Sequence, residues 1–304
     1  MDSKAKALFF SMRLRTLPLS LAGVVLGLLL AGSGHKLSWP VVVLTMLTTV
    51  LLQVLSNMSN ELGDYLHGTD GDGREGPIYS LAEGRLTVRD FRVSIAVLAA
   101  LCCLSGAAMT WLSWGTVWAW EPVCILVLGA CAIWAAMRYT LGKNPYGYRG
   151  LGDVAVFVFF GLVPVLGGYY VACHEIDTWT LILPAVAIGC FSVGVLNVNN
   201  TRDMKSDAGT RVTIPLLMGE RKAKIYQTIL IVLGWIALAI FVILRYVSPW
   251  NLLFVVTLPL YVRHLVGVWH LHGHDLDPML PLLVISTFAL SLLLGFSFLL
   301  VHSS

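Results

Sequence analysis

Long apolar runs separated by short polar segments recur along the whole chain. A helix needs about 20 apolar residues to cross a bilayer core of roughly 30 Å, and nine segments of this kind can be delimited. The predicted boundaries are 16–34, 39–60, 92–114, 117–138, 152–173, 178–200, 224–245, 248–268 and 278–301. The pattern predicts an all-α, multi-pass transmembrane bundle of about nine helices, in which residues 1–304 form one integral-membrane domain.

The composition excludes a water-soluble fold. Of the 304 residues, 57% are hydrophobic and only 12% are charged, and the mean hydropathy is +0.80. The net charge of +3 gives a nucleic-acid partner no electrostatic support. The six cysteines lie mostly in apolar runs without CxxC spacing, which indicates buried thiols rather than a metal or redox site. We therefore expect the lipid bilayer to surround most of the chain.

Basic residues are distributed very unevenly between the two sides of the predicted bundle. Lys and Arg accumulate in the short cytoplasmic loops of membrane proteins. With an inside amino terminus, 18 of the 20 basic residues fall on the cytoplasmic side, and only Lys36 and Arg245 fall outside. We predict a protein of the cytoplasmic (inner) membrane whose amino terminus and functional loops are cytoplasmic and whose carboxyl terminus is outside.

Two polar clusters begin at the ends of the second and sixth predicted spans. The first cluster comprises Asn57, Asn60, Glu61 and Asp64, then Asp70, Asp72 and Glu75 in a glycine-rich loop. The second comprises Asn197, Asn199, Asn200, Arg202, Asp203, Lys205 and Asp207. Spacings of four residues, as from Asn60 to Asp64, place side chains on one face of a helix. Because an ionised carboxylate is costly inside a bilayer, we expect these groups to face a wet cavity or a cation.

This density of oxygen ligands favours Mg²⁺, which takes one or two carboxylates together with water and substrate phosphate. A diphosphate substrate is thereby implied. Basic side chains on the same side could neutralise its remaining charge as it departs. They are Arg138, Lys143, Arg202, Lys205 and Arg211. Acidic residues at a single span end are usually solvated interface groups, but two such clusters favour a site.

The motifs resemble those of the UbiA superfamily of intramembrane aromatic prenyltransferases. The NDxxDxxxD-like first motif corresponds to the segment from Asn60 to Asp70, and the DxxxD second motif to Asp203-Met-Lys-Ser-Asp207. The family's YxxxK element matches Tyr139 and Lys143. Stretches 13–18, 143–153, 159–170 and 199–203 further resemble the MenA branch, the 1,4-dihydroxy-2-naphthoate polyprenyltransferases of menaquinone synthesis.

Two positions of the first motif depart from the superfamily pattern. Glu61 stands where the second Asp is usual, and Gly68 occupies the position of the last Asp, with Asp70 two residues later. Glutamate can still bind Mg²⁺. The assignment of individual ligands is therefore firmer for the second motif than for the first.

The resemblance implies a nine-helix bundle that opens laterally to lipid and a site built from both motifs. The implied catalytic residues are Asp64, Lys143, Asp203 and Asp207. The implied Mg²⁺ ligands are Asn60, Glu61, Asp64, Asp70, Asp203 and Asp207. The implied substrate contacts are Asn60, Tyr139, Lys143, Asp153, Asn199, Arg202 and Lys205. The implied reaction transfers a polyprenyl group from polyprenyl diphosphate to 1,4-dihydroxy-2-naphthoate, with loss of CO₂ and diphosphate, giving demethylmenaquinol.

Other interpretations stay open from the sequence. Polar residues on paired helices also occur in ion-coupled secondary transporters, although there the site lies near the membrane midplane. Within the superfamily, 4-hydroxybenzoate and homogentisate are alternative acceptors. Several tyrosines are candidates either for shielding a carbocation or contacting the acceptor, or for interfacial anchoring. They are Tyr65, Tyr139, Tyr146 and Tyr148. Prenyl chain length, oligomeric state, protein partners and the role of His270, His272 and His274 are not predicted.

Overall fold

The computed structural model describes residues 3–69 and 80–302. Within these ranges, nine helices are long and apolar enough to cross a membrane, which confirms the predicted number. Spans 1 to 9 are Lys4–Gly34, Trp39–Leu66, Val88–Trp114, Trp120–Arg138, Gly152–Cys173, Trp179–Arg202, Glu220–Leu244, Pro249–His270 and Gly273–Val301. The same ranges contain no β-strand beyond an isolated bridge between Arg149 and Val212, and the all-α fold class is confirmed.

The spans consist of α-helices with shorter 3₁₀ and π segments. The α-helices are α1 (Ser3–Ser11), α2 (Leu17–Gly34), α3 (Trp39–Leu66), α4 (Val88–Trp114), α5 (Trp120–Arg138), α6 (Gly152–Val156), α7 (Gly168–Cys173), α8 (Ile182–Arg202), α9 (Met204–Asp207), α10 (Ile214–Met218), α11 (Glu220–Leu244), α12 (Leu258–His270) and α13 (Met279–His302). The 3₁₀ segments are Leu14–Thr16, Tyr146–Tyr148, Trp179–Leu181, Pro249–Thr257 and Gly273–Leu276, and Phe157–Gly167 is π-helical.

The second span is longer than its apolar run predicts. Helix α3 continues without a break to Leu66, so Asn60, Glu61 and Asp64 all lie on regular helix. The sixth span is different, because α8 ends at Arg202 and Asp203 caps it before the short α9. The backbone N–H of Asp207 still donates to the carbonyl of Asp203 at 2.9 Å, so the two carboxylates of the second motif stay one turn apart.

The middle of span 5 is π-helical over Phe157–Gly167, with Pro164 inside it. Proline has no N–H to donate and disturbs the regular α-helical pattern. Helix α2 packs closely on this segment, because a Cβ atom at Gly27 would lie only 2.2 Å from the carbonyl oxygen of Val165. The apolar periodicity does not predict this π-helix, which forms one wall of the cavity described below.

The interior of the bundle is built around span 6. Side chains of α2, α8, α11 and α13 and of the π-helical segment form the largest hydrophobic cluster, and α1, α3 and α4 share a second cluster. The most apolar part of span 6 is 72% buried, whereas that of span 4 is only 11% buried. Span 4 packs against α3 and α4, so it lies at the periphery of the bundle.

Candidate active site

The two acidic motifs meet at one end of the bundle through Arg211. Its Nε lies 2.8 Å from Asp207 Oδ1, and its Nη1 lies 3.9 Å from Asp64 Oδ1. Asp64 and Asp207 are both buried, and they come from chain segments more than a hundred positions apart. A single guanidinium group therefore balances one carboxylate of each motif, and the predicted convergence of the clusters is present.

Tyr148 lies in the same cluster and holds Asp64 in place. Its hydroxyl donates to Asp64 Oδ1 at 2.6 Å, and the Arg211 guanidinium lies 5.4 Å from the centre of its ring. The backbone N–H of Val212 donates to the carbonyl of Tyr148 at 3.0 Å, next to the bridge between Arg149 and Val212. The loops that follow spans 4 and 6 are thus joined directly beside the carboxylates.

Burial is the main influence on the pKa values of Asp207 and Tyr148. It raises the pKa of Asp207 to about 6, and the charges of Asp203 and Asp64 act in the same direction against the opposing effect of Arg211. Burial and the neighbouring Asp64 carboxylate also raise the pKa of the Tyr148 hydroxyl, which stays a hydrogen-bond donor. An additional cation at this site would favour the ionised form of Asp207.

Asp203 is held by a different arginine. Arg202 Nε donates to Asp203 Oδ1 at 2.7 Å and Arg202 Nη2 donates to Asp203 Oδ2 at 2.8 Å. The same guanidinium also pairs with Asp277 and donates to Asn199 Oδ1 at 3.0 Å. Arg202 and Asn199 were both predicted to contact substrate. In the structure they contact each other, and Arg202 also contacts the acidic side chains of Asp203 and Asp277. The link to Asp277, 75 positions away, was not predicted.

The donor set fits a small, hard cation that keeps much of its water. Within the described ranges, no three or more His, Cys, Asp or Glu side chains cluster closely enough to hold a metal ion alone. Mg²⁺ does not require such a cage, since one or two protein carboxylates and the substrate phosphates suffice. Asp207 Oδ2 is buried and accepts no hydrogen bond from the described residues, which leaves an oxygen for a cation.

The remaining residues of the first motif have distinct surroundings. Asn60 Oδ1 accepts a hydrogen bond from Thr140 at 3.3 Å, one helical turn from Asp64. Glu61 is fully buried, and its Oε1 accepts from Ser11 Oγ and from the N–H of Leu81, both at 3.2 Å. These two hydrogen bonds connect Glu61 of α3 to helix α1 and to the chain after residue 79. The predicted ligand Asp70, with Asp72 and Glu75, lies outside the described residues.

Lys143 and Lys205 are both exposed at this end of the bundle. Lys143 follows Gly142, whose φ of 98° lets the chain turn after span 4. It makes no ion pair with any residue in 3–69 or 80–302. The contacts within those ranges therefore give Lys143 no structural role as an ion-pair partner.

Tyr139 lines both a larger cavity inside the bundle and a small crevice next to Arg211. The crevice is lined by Tyr139, Asp153, Asn200 and Arg211, among others. Asp153 Oδ2 accepts a hydrogen bond from Tyr226 Oη at 2.9 Å. Tyr139 packs edge-on against Tyr146, with the ring centres 5.4 Å apart, and Tyr146 donates to the carbonyl of Ala135 at 2.8 Å.

A cavity of about 320 Å³ extends from this region into the bundle. Asn60, Tyr139 and Tyr146 line it near the acidic motifs, whereas Thr45, Met109 and Val171 line it farther along. Span 4 and the π-helical segment supply an apolar wall, comprising Ile125, Leu128, Ala132, Phe159, Phe160 and Val163. Because span 4 is the least buried span, this wall borders the lipid-facing surface. The site can therefore hold an elongated apolar ligand with an anionic end.

Comparison with known proteins agrees with the family resemblance of the motifs. Residues 20–281 match the UbiA prenyltransferase family. The chain is 37% identical over 262 residues to the 1,4-dihydroxy-2-naphthoate octaprenyltransferase of Escherichia coli (strain K12), covering 86% of this chain and 84% of that protein. It is 35% identical over 304 residues to the enzyme of that name from Haemophilus influenzae, covering 97% and 98%.

Solved structures agree on the fold. A UbiA homolog from Archaeoglobus fulgidus bound to GPP and Mg²⁺ superposes with a TM-score of 0.65 at 16% sequence identity, over 100% of both chains. The resemblance inferred from the motifs is confirmed by the family match, which covers most of the chain. The protein belongs to the UbiA prenyltransferase family.

Proposed function

We propose that the protein transfers a polyprenyl group from polyprenyl diphosphate to 1,4-dihydroxy-2-naphthoate, with loss of CO₂ and diphosphate, giving demethylmenaquinol. The relatives at 35–37% identity that bear this activity in their names support the acceptor and the reaction. The observation in this molecule that carries the proposal is the meeting of the two acidic motifs at Arg211, with Asp64 one helical turn from Asn60, which lines a cavity with a long apolar wall.

The proposed site for the diphosphate lies at the two motifs. Asn60, Asp64, Asp203 and Asp207 would hold Mg²⁺, with Asp70 as a further candidate. When bound, the metal would neutralise phosphate charge and favour departure of diphosphate. Lys143, Arg211 and the exposed Lys205 add positive charge at the same end of the bundle, and such cations stabilise a departing anion.

The apolar wall receives the polyprenyl chain. The wall is as apolar as the lipid from which the chain enters, and its position at the lipid border lets a chain longer than the cavity continue into the bilayer. When the allylic C–O bond breaks, its electron pair leaves with diphosphate and a cation forms at the terminal carbon. Tyr139 and Tyr146 line the cavity at this point and can shield the cation from water.

The acceptor then supplies the electron pair for the new bond. The ring carbon that bears the carboxylate attacks the allylic carbon. Loss of the carboxylate as CO₂ returns its electron pair to the ring and restores aromaticity. Because CO₂ departs, the transfer is effectively irreversible.

We further propose that residues 1–304 form one domain of the cytoplasmic membrane, with the amino terminus and the site at the cytoplasmic face. The bias of the basic residues supports this orientation. Both motifs lie at one end of the bundle, whereas an ion-coupled transporter would place its site near the midplane.

An acceptor panel tests the function. The purified protein in detergent is given polyprenyl diphosphate, Mg²⁺ and, in separate reactions, 1,4-dihydroxy-2-naphthoate, 4-hydroxybenzoate or homogentisate. Product is expected with the naphthoate alone, and EDTA is expected to abolish it. Preferential use of either benzenoid acid would contradict the proposed acceptor, and undiminished turnover in EDTA would contradict the role of the metal.

A further inference from the structure

One wall of the cavity is unexpectedly polar. Helix α3 contributes a stripe of hydroxyl and amide side chains, comprising Thr45, Thr48, Thr49, Gln53, Ser56, Asn57 and Asn60. A polyprenyl chain has no hydrogen-bonding group and gains nothing from such a wall. The wall formed by span 4 and the π-helical segment is apolar and suits the chain better.

The outer half of the stripe is satisfied by its own helix. Thr45 donates to the carbonyl of Val41 at 2.7 Å, and Thr49 donates to the carbonyl of Thr45 at 2.9 Å. Thr48 likewise donates to the carbonyl of Leu44 at 2.8 Å. Hydroxyls bonded in this way need no ligand.

The inner half contains an amide whose orientation is fixed. Asn57 Nδ2 donates to the carbonyl of Met12 at 2.8 Å, so Asn57 Oδ1 must face the other way, where it accepts from Gln53 Nε2 at 3.0 Å. Gln53 Nε2 also donates to Thr16 Oγ1 at 3.1 Å. Because the Met12 carbonyl can only accept, the Asn57 amide cannot be turned round, and Gln53 must direct its nitrogen at Asn57 Oδ1. Both N–H bonds of the Gln53 amide are thereby used.

The Oε1 atom of the Gln53 amide is left for a ligand. Gln53 is only 7% exposed, yet its Oε1 accepts no hydrogen bond from the described residues, and Ser56 Oγ one turn away makes none either. Because Gln53 lines the cavity, this oxygen is open to a hydrogen-bond donor on a molecule bound there. Gln53 lies seven residues before Asn60, about 10 Å along the helix, which leaves room for a fused two-ring molecule between them.

We propose that the inner part of the α3 stripe binds the aromatic acceptor, with Gln53 Oε1 accepting a hydrogen bond from one ring hydroxyl and Ser56 lining the same pocket. This assignment rests on the proposed function, and it names the acceptor-binding residues. A hydroxyl that donates to an amide oxygen makes its ring more electron-rich, which favours attack on the allylic cation. The polar wall and the apolar wall thus hold the two substrates side by side.

The test compares the acceptor with its two mono-O-methyl ethers, in which one hydroxyl can no longer donate. Binding to the protein in detergent without prenyl diphosphate is followed by naphthoate fluorescence, and turnover is measured separately. The wild-type protein is expected to discriminate against one ether by about 10-fold, the equivalent of one hydrogen bond. In Gln53→Met that discrimination is expected to fall to within about 2-fold, with the KM for polyprenyl diphosphate unchanged.

Two further variants separate an effect on acceptor binding from an effect on folding. Ser56→Ala removes a hydroxyl that holds nothing in the described structure, and it is expected to weaken acceptor binding without changing the melting temperature. Thr49→Val is the matched control, since its hydroxyl is bonded within the helix, and it is expected to bind the acceptor normally. Undiminished discrimination in a folded Gln53→Met protein would overturn the inference. Failure of the wild-type protein to prenylate the naphthoate would instead overturn the proposed function.

Discussion

Arg211 Nε lies 2.8 Å from Asp207 Oδ1, so the DxxxD motif carries its own counter-ion four residues farther along the chain. The other end of the same guanidinium reaches Asp64, which makes Arg211 the direct contact between the two motifs. In this arrangement a side-chain cation lies between carboxylates that are also proposed to hold Mg²⁺. Binding of the metal and its diphosphate would then compete with, or rearrange, these ion pairs.

Replacement of Arg211 tests this relationship. In Arg211→Met, Asp64 and Asp207 lose their shared cation, so the melting temperature in EDTA is expected to fall. Added Mg²⁺ is expected to raise it by more than in the wild-type protein, because bound metal replaces the missing charge. Turnover is expected to fall by about 10- to 150-fold, the equivalent of about 1.5 to 3 kcal/mol of charged hydrogen bonding.

The matched control for Arg211→Met is Arg149→Met, which removes an exposed arginine from the neighbouring loop. It is expected to leave the Mg²⁺-dependent shift unchanged. An equal shift in Arg211→Met and wild-type protein would show that Arg211 and the metal do not share the carboxylates.

Gly152 sets the position of Tyr139. A Cβ atom at Gly152 would lie 2.8 Å from Tyr139 Oη, closer than real Cβ contacts allow. Gly152→Ala is therefore expected to displace the tyrosine ring from the cavity and lower turnover by about 10- to 100-fold. The comparison is Gly106→Ala in α4, where a Cβ atom would meet nothing within 4 Å. Equal turnover in the two variants would remove Tyr139 from the site.

Lys143 is proposed to bind diphosphate. Lys143→Met is expected to lower turnover by roughly 10- to 150-fold, and Lys143→Arg is expected to recover part of the loss. Neither change is expected to alter the melting temperature, because Lys143 makes no ion pair with the described residues. The exposed Lys222 of α11 provides the control, as Lys222→Met should be fully active. A destabilised but active Lys143→Met protein would identify a structural role instead.

The orientation of the bundle follows from the basic residues. In a background without the native cysteines, a cysteine at position 36 is expected to react with an impermeant reagent added outside the cytoplasmic membrane. One at position 206 is expected to react only after the membrane is opened. Labelling of both from the same side would contradict nine spans with a cytoplasmic amino terminus.

Hydropathy was sufficient to predict the nine spans, because lipid imposes a length and an apolar character on every crossing. It could not predict the π-helical wall, since Phe157–Gly167 is apolar all round and its shape depends on how α2 packs against it. It also missed the continuation of α3 to Leu66, where polar residues extend the helix beyond the apolar run.

The candidate site was predictable only where its residues lie close together in sequence. The spacing of Asp203 and Asp207 gave their common location, and Arg211 was a candidate because it is basic and near. The contacts of Tyr148 with Asp64, and of Arg202 with Asp277, each connect a helix end to a loop segment far away in the chain. The position of Tyr148 depends on the pairing of the loops after spans 4 and 6, and that of Asp277 on the packing of the chain after span 8 against the end of span 6. Neither contact leaves a periodic signal in the sequence.

The most direct test of the central claim is the fate of the acceptor's carboxyl carbon. Purified protein is incubated with polyprenyl diphosphate, Mg²⁺ and 1,4-dihydroxy-2-naphthoate labelled with ¹³C in its carboxyl group, and labelled CO₂, diphosphate and prenylated product are measured together. The account predicts that all three form in equal amounts, and that Asp207→Asn forms none while remaining folded. A prenylated product that retains the label, or equal turnover by Asp207→Asn, would contradict it.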